Sequence, residues 1–385
     1  MEIADLNILY DAFRASLKGS AWKREPLMFE HNWLAEIVAL KHELETRTYH
    51  TLPGTEFTLN ERGKIRHIHG GRMRDRVVRH ALCDEILTPC LKPFLIHDNG
   101  ASQKGKGLSF SRQQFEKDLH NFYLEYGDNN GYVGFLDLSK FYDNIQHDLI
   151  KKYIYPHIPE DTHWLMDEIL DTMKIDVSFM SDEEYAGCME QKFDSVAYYR
   201  DIPKEARTGE KYMRKSVNIG DQVSQNIGVF FPHRIDNYAK IVRGIKKYGR
   251  YMDDVRIIHR EKEVIESVFD GIRNIAAEDG LYINERKTRI VPLSGNYKYL
   301  QIRYSLSDTG RVIKRINQKS VTRERQKVKS YKHLLDDGEM QYPDVEQACK
   351  SWMGDFTRIM SKKQINNMKE LYYNLFGKEI RWKQS

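Results

Sequence analysis

Two acidic sites about 115 residues apart constrain what this chain can fold into. Asp137 follows the apolar run 132–136, and the pair Asp253-Asp254 precedes the run 255–258. Short apolar runs rich in β-branched and aromatic residues predict strands. If the two strands are neighbours in one sheet, the three carboxylates come together at the point where one strand ends and the other begins.

Clustered carboxylates imply a cation. They repel one another unless positive charge neutralises them, and oxygen ligands without Cys or His partners favour Mg²⁺ or Mn²⁺. Two such ions about 3.5–4 Å apart can hold the attacking and leaving oxygens of a phosphoryl transfer. Asp-Asp pairs also occur in solvated turns, and Asp336-Asp337 before a glycine fits that description. The form Tyr-Met-Asp-Asp beside a β-branched run instead predicts a nucleotidyl-transfer site.

The distribution of charge points to a polyanionic partner. The 385-residue chain has a formal net charge of only +5, but nine Lys or Arg and a single Glu fall between Arg311 and Lys332. A basic stretch of this density predicts a surface for the phosphates of a nucleic acid. We expect helices here that begin at Ser320 as N-cap, with one apolar stripe.

Compartment and membrane association follow from what the sequence lacks. The four cysteines show neither metal-ligand spacing nor a disulfide framework, the first residues do not form a signal peptide, and no apolar run reaches transmembrane length. We therefore expect a cytoplasmic protein without a membrane partner.

Periodicity and turn residues predict the remaining elements. We expect two helices within 1–50, a β-hairpin from 56–59 and 64–69, helices over 75–91, 109–126 and 265–280, and short strands within 297–318. Residues 150–215 are less patterned and are interpreted as helices plus an insertion.

The ordered motifs resemble those of bacterial reverse transcriptases over nearly the whole chain. The matching segments are Lys64-Ile-Arg66 with 74–82, Phe135-Leu-Asp137 with Phe141-Tyr142, Ile219-Gly-Asp-Gln-Val-Ser-Gln225, Tyr251-Met-Asp-Asp254, 280–288, and Tyr299-Leu300. The resemblance implies an α+β right-hand polymerase fold with fingers, palm and helical thumb. The implied division is an N-terminal helical extension (1–54), fingers (55–130), a palm (131–305, with a fingers-type insertion at about 150–215) and a thumb (306–385).

The resemblance also implies the roles of the acidic residues. Asp137, Asp253 and Asp254 would hold two Mg²⁺ ions, with Mn²⁺ as a substitute, and the carbonyl oxygen of Leu138 would add a ligand. Lys287 corresponds to a lysine near the leaving pyrophosphate, where it would donate a proton or stabilise charge. In the same family pattern, the catalytic set consists of the side chains of Asp137, Asp253, Asp254 and Lys287.

Further residues are implied to bind the nucleotide and the nucleic acid. Lys64 and Arg66 share one face of a strand and would reach the triphosphate, and Tyr142 would exclude a 2′-hydroxyl. Gly220 and Gln225 complete the predicted dNTP site. The predicted contacts with template, primer and duplex are Lys104, Lys106, Ser224, Tyr251, Met252, Tyr299, Leu300, Arg315, Arg323 and Lys327. At the primer-grip turn this chain departs from the family, because Gln301 stands where a glycine is usual.

The subtype and the biological setting stay open at the level of sequence. The form Ile219-Gly220 with Ser224-Gln225 is similar to enzymes of diversity-generating retroelements, and some antiphage-defence enzymes are related. The leading hypothesis is an RNA-directed DNA polymerase that uses dNTPs and a dedicated non-coding RNA, with an accessory protein as a further possible partner. The alternatives are template-independent or protein-primed DNA synthesis, and a catalytically silent RNA-binding scaffold.

Overall fold

The chain divides into two compact units. A computed structural model describes residues 2–61 and 63–382. The first unit consists of Met1–Ser111 and Gly134–Ile290, and the second consists of Arg112–Val133 and Val291–Ser385. The four-part division into extension, fingers, palm and thumb stays a prediction.

Helices and strands alternate irregularly along the chain. The α-helices are α1 (Leu6–Ser16), α2 (Arg24–His31), α3 (Trp33–Glu45), α4 (Met73–Leu82), α5 (Thr88–Leu91), α6 (Leu108–Tyr126), α7 (Phe141–Asn144), α8 (His147–Ile154), α9 (His163–Asp171), α10 (Asp182–Glu190), α11 (Ser195–Asp201), α12 (Gln222–Phe230), α13 (His233–Asn237), α14 (Lys262–Glu278), α15 (Gln318–Asp336), α16 (Tyr342–Phe356) and α17 (Lys362–Phe376). The strands are β1 (Thr55–Glu61), β2 (Lys64–Gly70), β3 (Tyr132–Ser139), β4 (Ile175–Asp176), β5 (Tyr212–Met213), β6 (Tyr248–Tyr251), β7 (Asp254–His259), β8 (Tyr282–Ile283), β9 (Arg289–Pro292), β10 (Tyr297–Tyr299), β11 (Ile302–Leu306) and β12 (Val312–Ile316). The α+β prediction is therefore confirmed.

The N-terminal segment contains one more helix than expected. Asp5 caps α1 by accepting a hydrogen bond from the backbone N of Asn7 at 2.8 Å. Leu9 and Phe13 bury the inner face of α1. The missed helix is α2, which has Pro26 in its first turn, where a missing N–H costs nothing.

A five-stranded sheet forms the centre of the first unit. Its strand order is β6-β7-β3-β8, and β9 pairs with β3. The amphipathic helix α14 covers it with an apolar face that includes Ile265, Val268 and Phe269. The predicted hairpin is also present, since β1 pairs with β2 in register from Thr55–Gly70 to Glu61–Lys64.

The predicted insertion has a small core of its own. Its buried residues are Ile175, Val177, Phe193, Tyr198 and Met213. The fully buried Lys215 completes the end of α10, because its Nζ donates to the carbonyl oxygens of Cys188, Met189 and Gln191 at 3.1, 3.1 and 2.8 Å. A cation at the C-terminal end of a helix satisfies carbonyls that have no partner within the helix.

The second unit combines α6, an antiparallel sheet of order β10-β11-β12, and helices α15 to α17. The expected N-cap at Ser320 is wrong. Asn317 caps α15 instead, with its side chain accepting from the backbone N of Lys319 at 3.2 Å, so Ser320 lies inside the first turn. Val321 and Val328 are buried on the expected stripe. None of the helices in the described parts of the chain is both long and apolar enough to cross a membrane.

The turn between β10 and β11 forms despite the missing glycine. Tyr299 pairs with Ile302, so Leu300 and Gln301 are its two central residues, and both have positive φ, at 41° and 75°. Such a turn matches the twist of a hairpin but is strained for side chains larger than glycine. Arg112 holds it in place by donating to the carbonyl oxygen of Leu300 from Nε at 3.0 Å and from Nη2 at 2.8 Å.

We therefore predict that Gln301→Gly stabilises the protein. Relief of the left-handed strain should raise the free energy of unfolding by about 0.5–1 kcal/mol after the entropy cost of glycine is subtracted. Denaturant titration would measure the change, with Gln326→Gly on the exposed face of α15 as a control that should be destabilised by a similar amount. A destabilised Gln301→Gly variant would contradict the prediction.

Candidate active site

Strand pairing brings the predicted acidic residues together. The backbone N of Leu138 in β3 donates to the carbonyl oxygen of Asp253 at 3.1 Å, which sets Asp137 beside the turn of the β6–β7 hairpin. Because Tyr251 pairs with Asp254, Met252 and Asp253 occupy the two turn positions. Met252 adopts a φ of 57°, a conformation that places Asp253 at the tip of the hairpin.

The three carboxylates form one electrostatic cluster. Burial, together with the charges of Asp253 and Asp137, raises the pKa of Asp254 to about 7. Burial and the charge of Asp137 likewise raise the pKa of Asp253. The only ammonium in contact with the cluster among the described residues is Lys287, whose Nζ lies 2.5 Å from Asp137 Oδ1. The site therefore holds more negative charge than its own side chains neutralise.

Tyr142 lies next to the turn of the β6–β7 hairpin. Its hydroxyl is 3.7 Å from the sulfur of Met252, and burial raises its pKa. Helix α12 approaches the ring so closely at Gly228 that a Cβ there would lie 2.9 Å from the Tyr142 oxygen. The tyrosine is thus fixed between the hairpin and α12, beside the carboxylates.

The β1–β2 hairpin brings one of its two predicted cations into electrostatic range. Burial raises the pKa of Asp253, and the positive charges of Lys287 and Lys64 act in the opposite direction. Lys64 is exposed. Arg66, by contrast, forms an ion pair with Glu61 on the facing strand, so a triphosphate would have to compete with this carboxylate.

The loop at 219–225 packs against the same hairpin. The backbone N of His69 donates to the carbonyl oxygen of Ile219 at 3.2 Å. Gly220 has a φ of 102°, and a Cβ there would lie 3.2 Å from Ile68 Cγ2. Gln225 is exposed, as its predicted role requires.

Ser224 and Lys106 differ from expectation. Ser224 is fully buried and its hydroxyl faces the sulfur of Met173 at 3.6 Å. Its side chain is therefore not accessible in this structure, and its contact with nucleic acid stays a prediction. The spacing of the motif does not reveal which residues of α12 face inward. Lys106 donates to the carbonyl oxygens of His97 and Asn99 at 2.9 and 3.1 Å, while Lys104 is exposed.

The remaining predicted contact residues vary in exposure. Tyr251 and Met252 are partly exposed in the first unit. In the second unit Tyr299 is buried and Leu300 is half-buried, and the cations on β12 and α15 are exposed, namely Arg315, Arg323 and Lys327. The exposed cations suit a phosphate surface, whereas Tyr299 supports its turn from inside.

Comparison with known proteins decides the family. Residues 60–304, more than half of the chain, match the model of the family described as reverse transcriptase (RNA-dependent DNA polymerase). The chain belongs to the reverse transcriptase family. This match confirms the polymerase fold. Among curated proteins, none matches the sequence. Telomerase from Candida albicans, solved with a TWJ fragment of telomeric RNA, is similar over 85% of this chain and 60% of its own, with 10% identity and a TM-score of 0.44. The chain thus spans less than two thirds of the length of that protein.

Reverse transcriptases generally use divalent metal ions, and the acidic cluster fits them chemically. Its side-chain donors are all carboxylate oxygens, which Mg²⁺ and Mn²⁺ prefer, and the raised pKa values of Asp253 and Asp254 show the charge that a cation would balance. Within residues 2–61 and 63–382, however, no three His, Cys, Asp or Glu side chains are already arranged to hold an ion. Lys287 instead engages Asp137.

The family motifs do not reveal the residue that supports the turn of the β6–β7 hairpin. Arg250 is fully buried. Its Nη1 donates to the carbonyl oxygen of Met252 at 2.9 Å and its Nη2 to that of Val229 at 2.8 Å. Its Nε and Nη2 also bind the carboxylate of Asp236 at 2.8 and 2.7 Å. The available signal was an arginine within a strand that is otherwise apolar or aromatic, immediately before the Tyr-Met-Asp-Asp motif.

A second support lies just after Asp137. The side chain of Asn144 exchanges hydrogen bonds with the backbone of Phe193, at 2.8 Å for the Phe193 N and 3.3 Å for its carbonyl oxygen. Ser195 donates to Asp143 Oδ1 at 2.5 Å, and Lys140 pairs with Asp194 at 2.8 Å. We call these contacts between 140–144 and 193–195 the insertion clamp.

The insertion clamp contains a titratable group with a testable effect on stability. Burial raises the pKa of Asp143 to about 6, although Ser195 and Lys140 oppose the shift. A raised pKa in the folded state means that Asp143 stabilises the fold below about pH 4 and that this contribution is lost as the pH rises through about 6. We predict that Asp143→Asn, which keeps the acceptor for Ser195, is more stable than the parent at pH 8 by up to about 3 kcal/mol.

The measurement is the difference in free energy of unfolding between variant and parent from pH 4 to pH 8. The difference should shrink toward zero at the acid end. Asp11→Asn, on the exposed side of α1, should show no such trend. A difference for Asp143→Asn that does not change with pH would refute the assignment.

Proposed function

We propose that this protein is an RNA-directed DNA polymerase. The observation that carries the proposal is the joining of Asp137, Asp253 and Asp254 into one partly buried cluster at the turn of the β6–β7 hairpin. Family membership supports the same reaction. In it, the 3′-hydroxyl of a primer attacks the α-phosphorus of a dNTP, a new phosphodiester bond forms, and pyrophosphate leaves.

The chain contributes position and charge to this reaction. Asp137, Asp253, Asp254 and the carbonyl oxygen of Leu138 would hold the divalent ions. When bound, such ions supply the positive charge that stabilises the attacking and leaving oxygens. The ammonium group of Lys287 provides further positive charge. We assign it the role of stabilising the negative charge that develops on the leaving pyrophosphate.

The nucleotide would enter beside the hairpin. Lys64 is exposed within electrostatic range of Asp253, so we assign it to the triphosphate together with Arg66, which must then leave Glu61. Tyr142 is fixed by Met252 and Gly228 at the edge of the cluster, and we assign its ring to the sugar, where it would exclude a 2′-hydroxyl. Gly220 and Gln225 would contact the forming base pair.

The test is incorporation of labelled dNTPs by purified, nuclease-treated protein with Mg²⁺ and a primed RNA of defined sequence. Product complementary to the template would support the proposal. Product formed equally well without template would favour terminal addition or protein priming. Binding of RNA with no product under any condition would favour a silent scaffold.

We further propose that the template is a dedicated structured RNA, and that the setting is a diversity-generating retroelement or antiphage defence. The loop from Ile219 to Gln225 supports a relation to the first group, and compact defence enzymes are related. Sequencing of RNA that copurifies with the protein would identify the template. A template repeat matched by a variable repeat in a neighbouring gene would favour the retroelement.

A further inference from the structure

An ion pair between α4 and the start of α12 is buried in the first unit. Arg79 lies on α4, Asp221 directly precedes α12, and only 3% and 4% of their surfaces are exposed. Nη1 of Arg79 donates to Asp221 Oδ2, and Nη2 donates to the hydroxyl of Thr172 at 3.5 Å. Replacing a buried ion pair by uncharged residues is often neutral for stability. The role of this pair therefore has to be sought in the geometry that it fixes.

Asp221 uses its two carboxylate oxygens for two different helices. Oδ1 accepts a hydrogen bond from the backbone N of Val223 at 2.7 Å and thereby caps the first turn of α12. Oδ2 accepts from the guanidinium group of Arg79 on α4. The cap that begins α12 is therefore attached to a side chain of another helix.

The guanidinium group of Arg79 has little freedom to follow a movement of α12. One turn earlier in α4, Asp75 is fully buried and accepts hydrogen bonds from Tyr49 Oη at 2.7 Å and from the backbone N of Leu52 at 3.1 Å. Burial raises the pKa of Asp75, whereas the hydrogen bond from Tyr49 and the charge of Arg79 oppose the rise. Arg79 is thus attracted by two buried carboxylates, one on its own helix and one at the start of α12.

The backbone of β2 supports the residues directly before the cap. The carbonyl oxygen of Ile219 accepts from the backbone N of His69 at 3.2 Å. Residues 219–221 are therefore attached to the β1–β2 hairpin and to α4. The backbone N of the exposed Gln225 donates to the carbonyl oxygen of Asp221 at 3.2 Å. The place of Gln225 thus follows from the place of the cap.

We propose that Arg79 and Asp221 are positioning residues that set where α12 presents Gln225 to the forming base pair. The inference rests on the proposed polymerase function and on the role assigned there to Gln225. A group that selects a substrate must be held within a fraction of an ångström of its productive position. Once the pair is broken, the cap can shift against the hairpin, and correct and incorrect nucleotides are held more alike.

Selection of the nucleotide should suffer more than the chemical step. No contact in the described parts of the chain joins Arg79 or Asp221 to the carboxylate cluster. The pair therefore acts on the reaction through the position of α12, and its loss leaves the proposed metal ligands in place.

Three variants separate position from stability. Asp221→Asn keeps an oxygen that can cap α12 but removes the charge that binds Arg79. Arg79→Met leaves the buried carboxylate of Asp221 unpaired and should be strongly destabilised. The double variant Arg79→Met/Asp221→Asn keeps the cap and contains neither charge of the pair, so it should recover most of the lost stability.

The assay is steady-state incorporation of one correct and one incorrect dNTP opposite a defined base of a primed RNA template. In the double variant we expect KM for the correct dNTP to rise about fivefold and the ratio of the two kcat/KM values to fall about tenfold. Partial unfolding cannot produce this result, because loss of active protein lowers the apparent kcat and leaves KM and the ratio unchanged.

The matched control removes another ion pair of the first unit. Arg234 binds the fully buried Asp279 and thereby connects α13 to the end of α14. Arg234→Met/Asp279→Asn should leave KM and the ratio of the kcat/KM values as in the parent, whatever its stability.

Hydrogen–deuterium exchange without nucleic acid or nucleotide tests the attachment itself. The backbone amides of 219–226 should exchange about tenfold faster in the double variant than in the parent, while those of α14 keep their rates. The proposal is overturned if exchange in 219–226 does not change, if the double variant keeps the KM and the ratio of the parent, or if the control pair alters them equally. If the parent incorporates no dNTP on any template, the polymerase proposal fails, and exchange alone decides whether Arg79 positions the cap.

Discussion

Asp253→Asn is expected to reduce dNTP incorporation at least about a thousandfold, equivalent to roughly 4 kcal/mol in the barrier. Asparagine has almost the same size but removes the negative charge that would hold a divalent ion, and such ions stabilise the transition state by several kcal/mol. The fold should not suffer, because burial and the charge of Asp137 already disfavour the ionised form of Asp253.

The measurement is primer extension on a defined RNA template, accompanied by thermal unfolding of each variant. Asp337→Asn provides the control, since it changes the same residue type in the exposed Asp-Asp pair at the end of α15. Incorporation by Asp253→Asn within tenfold of the parent would remove this carboxylate from the catalytic set. If Asp253→Asn loses activity and also melts at a lower temperature, the loss of activity reflects unfolding as well as catalysis. Asp254→Asn, assayed in the same way, would then test the catalytic role of the cluster.

Arg250→Met is expected to lower the free energy of unfolding by about 3–5 kcal/mol. The substitution leaves the carboxylate of Asp236 without its ion-pair partner. This carboxylate is also buried and accepts a hydrogen bond from Tyr248 at 2.7 Å. It also leaves the carbonyl oxygens of Val229 and Met252 without this donor. Met252 directly precedes Asp253. In protein that remains folded, we therefore expect kcat to fall and KM to change less.

Denaturant titration measures the stability loss, and Arg286→Met, an exposed arginine of the same unit, is the matched control that should change little. Combining Arg250→Met with Asp236→Leu should recover part of the loss, since no unpaired charge then stays buried. A loss below about 1 kcal/mol in the single variant would show that the network is not needed for stability.

The sequence predicted those features of the fold and site that depend on local pattern. Asp137, Asp253 and Asp254 stand beside apolar runs, so strand pairing alone brings them together, and the β1–β2 hairpin follows from alternation around a polar turn. The match over residues 60–304 shows that the order of motifs identified the correct family.

The features that sequence reasoning missed depend on contacts between distant segments. Nothing near Ser224 shows that its hydroxyl faces Met173, 51 residues earlier, and nothing near Lys106 shows that backbone carbonyls take up its ammonium. To predict the Arg250–Asp236 ion pair, one must know that α12, α13 and the β6–β7 hairpin meet. The start of α15 was misplaced for a local reason, because Asn317 and Ser320 are both good N-caps and the end of β12 decides between them.

The insertion clamp has a consequence for how such an enzyme can evolve. Residues 193–195 grip the segment that carries Tyr142, yet the region around them has its own small apolar core and supplies no side chain to the carboxylate cluster among the described residues. Substitutions there can alter the support of the proposed sugar-contacting ring without changing the proposed metal ligands. Selection could therefore retune the choice of nucleotide through residues that never meet the substrate.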